Sequence, residues 1–183
     1  MIAYKGFDVG LRCRGYQFTM GLNITDKAHC VSCGFHCAEN PLDCLTYYSN
    51  LRSAEYYIVD AGGDVHEDGK DTKIACTELS ILKKLTVKEL FLHGLAFMAK
   101  HPNREWSCNV SRDRASAHGG YTVVRGLDPI ACGAMGDILA FVKEMEDGTI
   151  VQVSLVEVDG KNIMPNRWYD TDLTERELCD EEK

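Results

Sequence analysis

Within the nine residues from His29 to Cys37 the chain places His29, Cys30, Cys33, His36 and Cys37, with Cys44 close behind. Two chemistries use such residues. Cys30-x-x-Cys33 has the spacing of a tetrahedral zinc turn, and Cys30, Cys33, His36 and Cys37 would be its ligands. A structural zinc site normally draws a second pair from farther along the chain, but Cys76, Cys108 and Cys132 stand alone. Isolated cysteines pack as small apolar groups, so no metal is the first expectation and zinc the alternative. The second chemistry is a nucleophilic thiolate. Cys37 lies just before a helix start and adjoins His36. Neighbours on a strand point to opposite faces, so this pair is poorly placed to share a proton. Arg104, Arg112, Arg114 and Arg125 form a third group, suited to RNA or phosphate. Asp113 and Asp128 dilute it, and it reads as a solvated loop.

The elements that would position these residues follow from periodicity and turn residues. Ile2–Phe7 reads as a first strand and Gly15–Phe18 as a second, with Gly10 and Gly21 at turns. Asn40-Pro41-Leu42-Asp43 is a helix start: Asn40 caps, Pro41 suits the first position and Asp43 favours the positive end. That helix is expected to reach about Tyr48 with Leu42, Leu45 and Tyr48 on one face. Tyr56–Val59 and Lys73–Thr77 read as strands, joined by a loop holding Gly62-Gly63 and Asp68-Gly69. Thr86-Val87-Lys88-Glu89 is a capping box opening a helix that Pro102 ends. Residues 103–134 show little periodicity. Ile138–Met145 and Thr149–Val158 then make a hairpin around Glu146-Asp147-Gly148, and Trp168-Tyr169 sits on a last short strand.

Composition bounds the rest. Of 183 residues, 45% are hydrophobic and 26% charged, which is ordinary for a folded domain. The start has no basic-then-apolar leader, and no apolar run approaches the roughly 20 residues that span a bilayer, so the expectation is a cytoplasmic protein with no membrane partner. Its nine cysteines, an odd number, are then expected as free thiols. The net charge is −8, and residues 170–183 carry seven acids against two bases. A near-neutral body with an acidic end does not draw a phosphate backbone, so a nucleic-acid partner is not expected. The acidic end reads as a solvated terminus, with mimicry of nucleic acid toward a basic partner as the alternative.

Three stretches carry a resemblance: Tyr4-Lys5-Gly6-Phe7 with Cys13-Arg14-Gly15-Tyr16-Gln17-Phe18; Cys33-Gly34-Phe35-His36-Cys37-Ala38-Glu39-Asn40-Pro41-Leu42-Asp43 with Tyr47-Tyr48; and Val156-Glu157-Val158-Asp159-Gly160-Lys161 with Trp168-Tyr169. Together they resemble an uncharacterised family of phage and prophage accessory proteins. Many of its members carry short Ser, Ala, Asn and Gly repeats that coil into a β-solenoid. Ala115–Gly120 and Ala131–Gly136 would be a remnant of that run, or a plain loop.

The front of the chain is also similar to ADP-ribosyltransferase-like folds. That likeness would put Tyr4, Lys5 and Gly6 on the first-strand motif, Gly34, Phe35 and His36 on the second, and Tyr47 or Tyr48 against the nicotinamide of NAD. Tyr4, Lys5 and His36 would be the catalytic residues of such an enzyme. Nothing selects a late glutamate among Glu78, Glu144 and Glu157.

The expected fold is α+β: a mainly antiparallel sheet with one long and one short helix and a C-terminal β-hairpin. The expected parts are an N-terminal domain over 1–102, a connection over 103–135, a hairpin region over 136–173 and an acidic tail over 174–183. The leading function is a binding protein without catalysis or cofactor, acting on a host protein in the host cytoplasm and inhibiting a host defence system in one form. An NAD-consuming enzyme and a zinc-stabilised module are the alternatives.

Overall fold

Strand β1, Ile2–Asp8, alternates as its pleat demands: Ala3, Lys5 and Phe7 are buried on one face, while Tyr4 and Gly6 lie on the other. The computed structural model describes residues 1–29, 33–67 and 72–177. It divides the chain into two units, Met1–Gly94 and Leu95–Lys183. The sequence boundary was placed after residue 102; the division falls inside the long helix instead. Strand dominates, and the protein is α+β.

The first unit continues with a hairpin of β2, Arg12–Cys13, and β3, Tyr16–Gln17. Its two central residues, Arg14 and Gly15, both have positive φ (48° and 81°), the backbone of a tight turn that follows strand twist. β4 is Gly21–Ile24 and β5 is Phe35–Ala38. β6, Ala54–Glu67, and β7, Lys73–Leu85, run far longer than the short strands expected there. Gly62 and Gly63 belong to β6, not to a loop, at a bulge where pairing passes from Gly62–Glu78 to Val65–Cys76. Asp68 and Gly69 lie outside the described residues.

Pairing closes a ring. β1 holds β6 along one edge and β5 on the other, so that Tyr4 faces both Ile58 and Ala38. β7 holds β6 on one edge and both β5 and β4 on the other. The interior is filled by Phe7, Phe18, Phe35, Val59, Ile74 and Ile81 with their neighbours. The segment expected as a short α-helix is a 3-10 helix, Pro41–Thr46. Asn40 caps it by accepting from the Leu42 amide, but Pro41, Leu42, Asp43, Cys44 and Leu45 are all buried. A segment without an exposed face gains nothing from the α-helical stripe, and Asp43 is occupied by the Thr72 hydroxyl at 2.6 Å. Helix α1, Val87–Lys100, forms as its sequence demands. The Glu89 carboxylate accepts from the Thr86 amide at 2.8 Å while the Thr86 hydroxyl takes the Glu89 amide at 3.2 Å. These bonds and the Lys83 ammonium hold the Glu89 carboxyl down at about 2, with the lysine the largest cause.

The second unit corrects the reading of residues 103–134 as a connection. They contain β8, Ser111–Ser116, and β9, Tyr121–Cys132, and β9 is the inner strand of the sheet. β10, Ile138–Glu144, and β11, Ile150–Glu157, make the expected hairpin, and Trp168–Tyr169 is β12. β9 pairs in parallel with β8 and with β10. The links, residues 117–120 and 133–137, are too short for a helical crossover. Successive strands therefore stack as coils of a solenoid do, Ala115 beside Ala131 and Ser116 beside Cys132. β13, Glu175–Arg176, pairs with β12, so the acidic end begins as strand rather than as solvated tail. Arg176 reaches Asp128 at 3.0 Å. Residues 178–183 lie outside the described residues. Among the described residues, no helix is long and apolar enough to cross a membrane.

Candidate functional site

Lys5 is the unusual residue of the first unit. It is 4% exposed, on the inward face of β1. Its ammonium donates to the His36 carbonyl at 2.6 Å and lies 5.2 and 5.3 Å from the ring centres of Phe7 and Phe18. The two rings offer their negative faces to a cation that has left water. Its remaining partner is the Cys13 sulfur at 3.7 Å. The hairpin β2–β3 sets Cys13 at the rim of the interior, half-buried.

On the outer face of β1, Gly6 makes room for Tyr48. A Cβ at position 6 would lie 2.5 Å from Tyr48 Cδ2 and 2.7 Å from its Cγ. Tyr48 is further fixed by the Tyr56 hydroxyl, which donates to its carbonyl. Its own hydroxyl donates to Cys13 Sγ at 3.1 Å. Burial first, and that bond second, push the phenol well above its usual range, so it keeps its proton and remains a donor. Gly6→Ala should therefore cost about 1–3 kcal/mol through overpacking against a ring that has nowhere to go. The thermal midpoint measures it, and an unchanged midpoint would show that Tyr48 swings away freely.

The other candidate residues are dispersed. Tyr4 points outward, its hydroxyl 3.0 Å from His93 Nδ1 on α1, and burial raises its phenol. Phe35 turns inward against Tyr16 and Phe18. His36 is half-buried on the opposite face of β5. Tyr47 is 54% exposed, with the Lys73 ammonium 5.5 Å from its ring centre. Gly34 takes φ 91° against Ala28. Tyr4 and Gly6 thus lie on the outer side of β1 and Lys5 and Phe35 face the interior, while Tyr48 covers Gly6 and its hydroxyl reaches the Cys13 sulfur that Lys5 also contacts.

The same alternation separates the zinc candidates. Cys37 is buried inside the ring and His36 faces away from it. Cys33 is exposed, and Cys30 lies outside the described residues. Among the described residues, no three His, Cys, Asp or Glu side chains are grouped to hold a metal ion. The Cys37 thiol is held well above its usual range by its hydrogen bond to Cys76, then by burial. Burial pushes Cys44 up to about 12. Both are packing thiols rather than nucleophiles.

In the second unit Arg104, Arg112 and Arg114 are exposed, the last two on β8, whereas Arg125 on β9 is buried rather than in a solvated loop. Arg125 is 2% exposed and paired with Glu144 at 2.7 Å, and it donates to the Pro102 carbonyl at 2.8 Å. Arg112 and Arg125 both lie over Trp106, at 4.4 and 4.7 Å from its ring centre. They line a cleft of about 600 Å³ together with Arg104, Asp113 and Glu146. Its lining mixes Arg104, Arg112 and Arg125 with Glu105, Asp113, Glu144 and Glu146.

Sequence reasoning missed the Lys5–Cys13–Tyr48 cluster, His93 and the Arg125–Glu144 pair. The only local hint was Lys5 itself, a charge inserted where β1 otherwise alternates apolar residues inward.

The fold and this cluster define an α+β protein whose first unit is a closed β ring around a buried lysine. That unit coincides with a known sequence family. Residues 1–93 match the family model described as a domain of unknown function, DUF7666, and the chain belongs to that family. No curated protein and no solved structure matches the chain.

Proposed function

We propose that this protein is a non-enzymatic binding protein that engages a host protein in the cytoplasm on behalf of a phage or prophage, inhibition of a host defence system being one concrete form. The observation that carries the reading is a set of exposed apolar side chains on one outer face of the family unit, with Ser80 and Asp60 between Leu22 and Ile2. Leu22 pairs with Ser80, Ser80 with Asp60 and Asp60 with Ile2, which makes one row across β4, β7, β6 and β1. Ile24 lies two residues on from Leu22, and Leu82 two on from Ser80. Ile2, Leu22, Ile24 and Leu82 are 56, 55, 61 and 48% exposed. Large apolar side chains gathered on one sheet face mark contact surfaces more often than single exposed ones do. Among the described residues β4 also pairs through one edge alone, with β7, so its other edge suits an added strand. The partner is therefore a protein presenting an apolar strand. The residues that an NAD cleft would need also support this reading, since Gly6 is covered by Tyr48 and Lys5 is turned inward.

The test is capture from host lysate on immobilised protein with quantitative mass spectrometry, beside an NAD-consumption assay on the same preparation. Leu22→Asp with Ile24→Asp should cut recovery of the specific partner at least about tenfold, the loss of one or two interface anchors, without lowering the thermal midpoint. Recovery unchanged in the variant would overturn the surface. NAD cleavage by the wild type, lost in His36→Ala, would overturn the non-enzymatic reading.

A further inference from the structure

Bulges re-aim side chains, and one does so at the cleft of the second unit. β8 pairs with β9 through Arg112 and Arg125, and again through Arg114 and Ile130. Between these pairs Asp113 alone stands against residues 126–129 of β9. Consecutive residues of a regular strand point to opposite faces. Here Arg112 and Asp113 both line the same cleft. Two backbone features hold Asp113 there. Its φ is 59°, in the sparsely populated left-handed region. Gly126 leaves room for its carboxylate, since a Cβ at that position would collide with Asp113 Oδ1.

The cleft, of about 600 Å³, has the size of a small-molecule site. The Arg112 guanidinium lies 4.4 Å from the Trp106 ring centre. That contact engages its face and leaves its N–H fork for a carboxylate. Among the described residues, no ion pair or side-chain hydrogen bond holds Arg112 or Asp113. Arg125 and Glu144, by contrast, neutralise each other at 2.7 Å. In all, three arginines line the cleft against four acids. A ligand carrying only negative charge is therefore repelled, and one carrying only positive charge leaves Arg112 unanswered. Beside these charges stand Leu127 and Met145, 51 and 54% exposed, as a wall for an apolar group.

We propose that this cleft binds a zwitterion with an apolar side chain, an α-amino acid or a short peptide. Arg112 takes the carboxylate, Asp113 takes the ammonium, and Leu127 and Met145 take the side chain. The site lies outside residues 1–93 and stands independently of the apolar face of the family unit.

The test is isothermal titration calorimetry on the full chain with L-leucine and with leucyl-leucine. Each is also titrated with its ammonium acetylated and with its carboxylate amidated. At least one zwitterion should bind, and either capped form of it should bind at least about tenfold more weakly, the loss of one charge-assisted hydrogen bond. Binding of leucine alone assigns the site to an amino acid, and binding of the dipeptide alone assigns it to a peptide. Arg112→Met keeps the stem beside Trp106 and should erase the preference over the amidated form while keeping the preference over the acetylated one. Asp113→Asn keeps a residue that accepts positive φ and should do the reverse. Variants that weaken every ligand alike, with both preferences intact, would overturn the assigned roles. No binding of either zwitterion up to about 10 mM, or capped forms that bind as tightly, would overturn the site itself.

Discussion

Arg125→Met will destabilise the second unit by about 3–5 kcal/mol, the usual cost of breaking a buried ion pair from one side. The guanidinium is 2% exposed and the Glu144 side chain 9%, so removing the cation leaves a nearly buried carboxylate without its paired charge. The Pro102 carbonyl loses its donor as well. Methionine fills much of the stem volume, so the loss is electrostatic rather than a cavity. The double variant Arg125→Met with Glu144→Leu should recover more than half of it, because two buried charges replaced together cost far less than one left alone. The measurement is urea unfolding followed by tryptophan fluorescence. Both tryptophans of the chain, Trp106 and Trp168, lie in the second unit, so the signal reports on that unit. A single variant within about 1 kcal/mol of wild type, the typical range of exposed pairs, would mean that water reaches Glu144.

Lys5→Ala is expected to have a comparable effect on the first unit. It leaves a void where three methylenes and the ammonium packed among Phe7 and Phe18, and it leaves the His36 carbonyl without its donor. Together these cost about 3 kcal/mol, while Lys5→Met, which keeps the stem and removes a buried charge, should cost about 1 kcal/mol. The buried thiols Cys37, Cys44 and Cys76 all belong to this unit, so their alkylation under native conditions measures its opening. Where opening equilibrates faster than alkylation, Lys5→Ala should speed labelling of all three about 100-fold and Lys5→Met less than about tenfold. Equal rates in both variants would show that the ammonium, and not the stem, is what the ring holds.

Local sequence determined the elements whose bonding partners lie close in the chain. The capping box of Thr86 and Glu89 and the stop at Pro102 bound α1. Turn residues at Asp147-Gly148 set the β10–β11 hairpin, and the alternation of Ala3, Lys5 and Phe7 marked β1 as a strand. The type of the Pro41–Thr46 segment was not legible, because its burial on every side is a property of what surrounds it. β9 was hidden for a similar reason. Residues 103–134 show little periodicity, yet parallel pairing with β10 over Tyr121–Gly126 and with β8 at Val124, Arg125 and Ile130–Cys132 makes this stretch a strand. Periodicity told that Lys5 and Tyr4 face opposite ways but not which way is inside. Only the closing of β1 against β5 and β6 made Lys5 the interior residue, brought Cys13 from 8 positions away to its ammonium and the Tyr48 hydroxyl to that sulfur, and put Tyr4 and Lys5 on opposite faces of one strand. Arg125 was likewise an ordinary charge in sequence. It became the buried partner of Glu144 because β9 and β10 pair side by side, a contact between strands that no local pattern encodes.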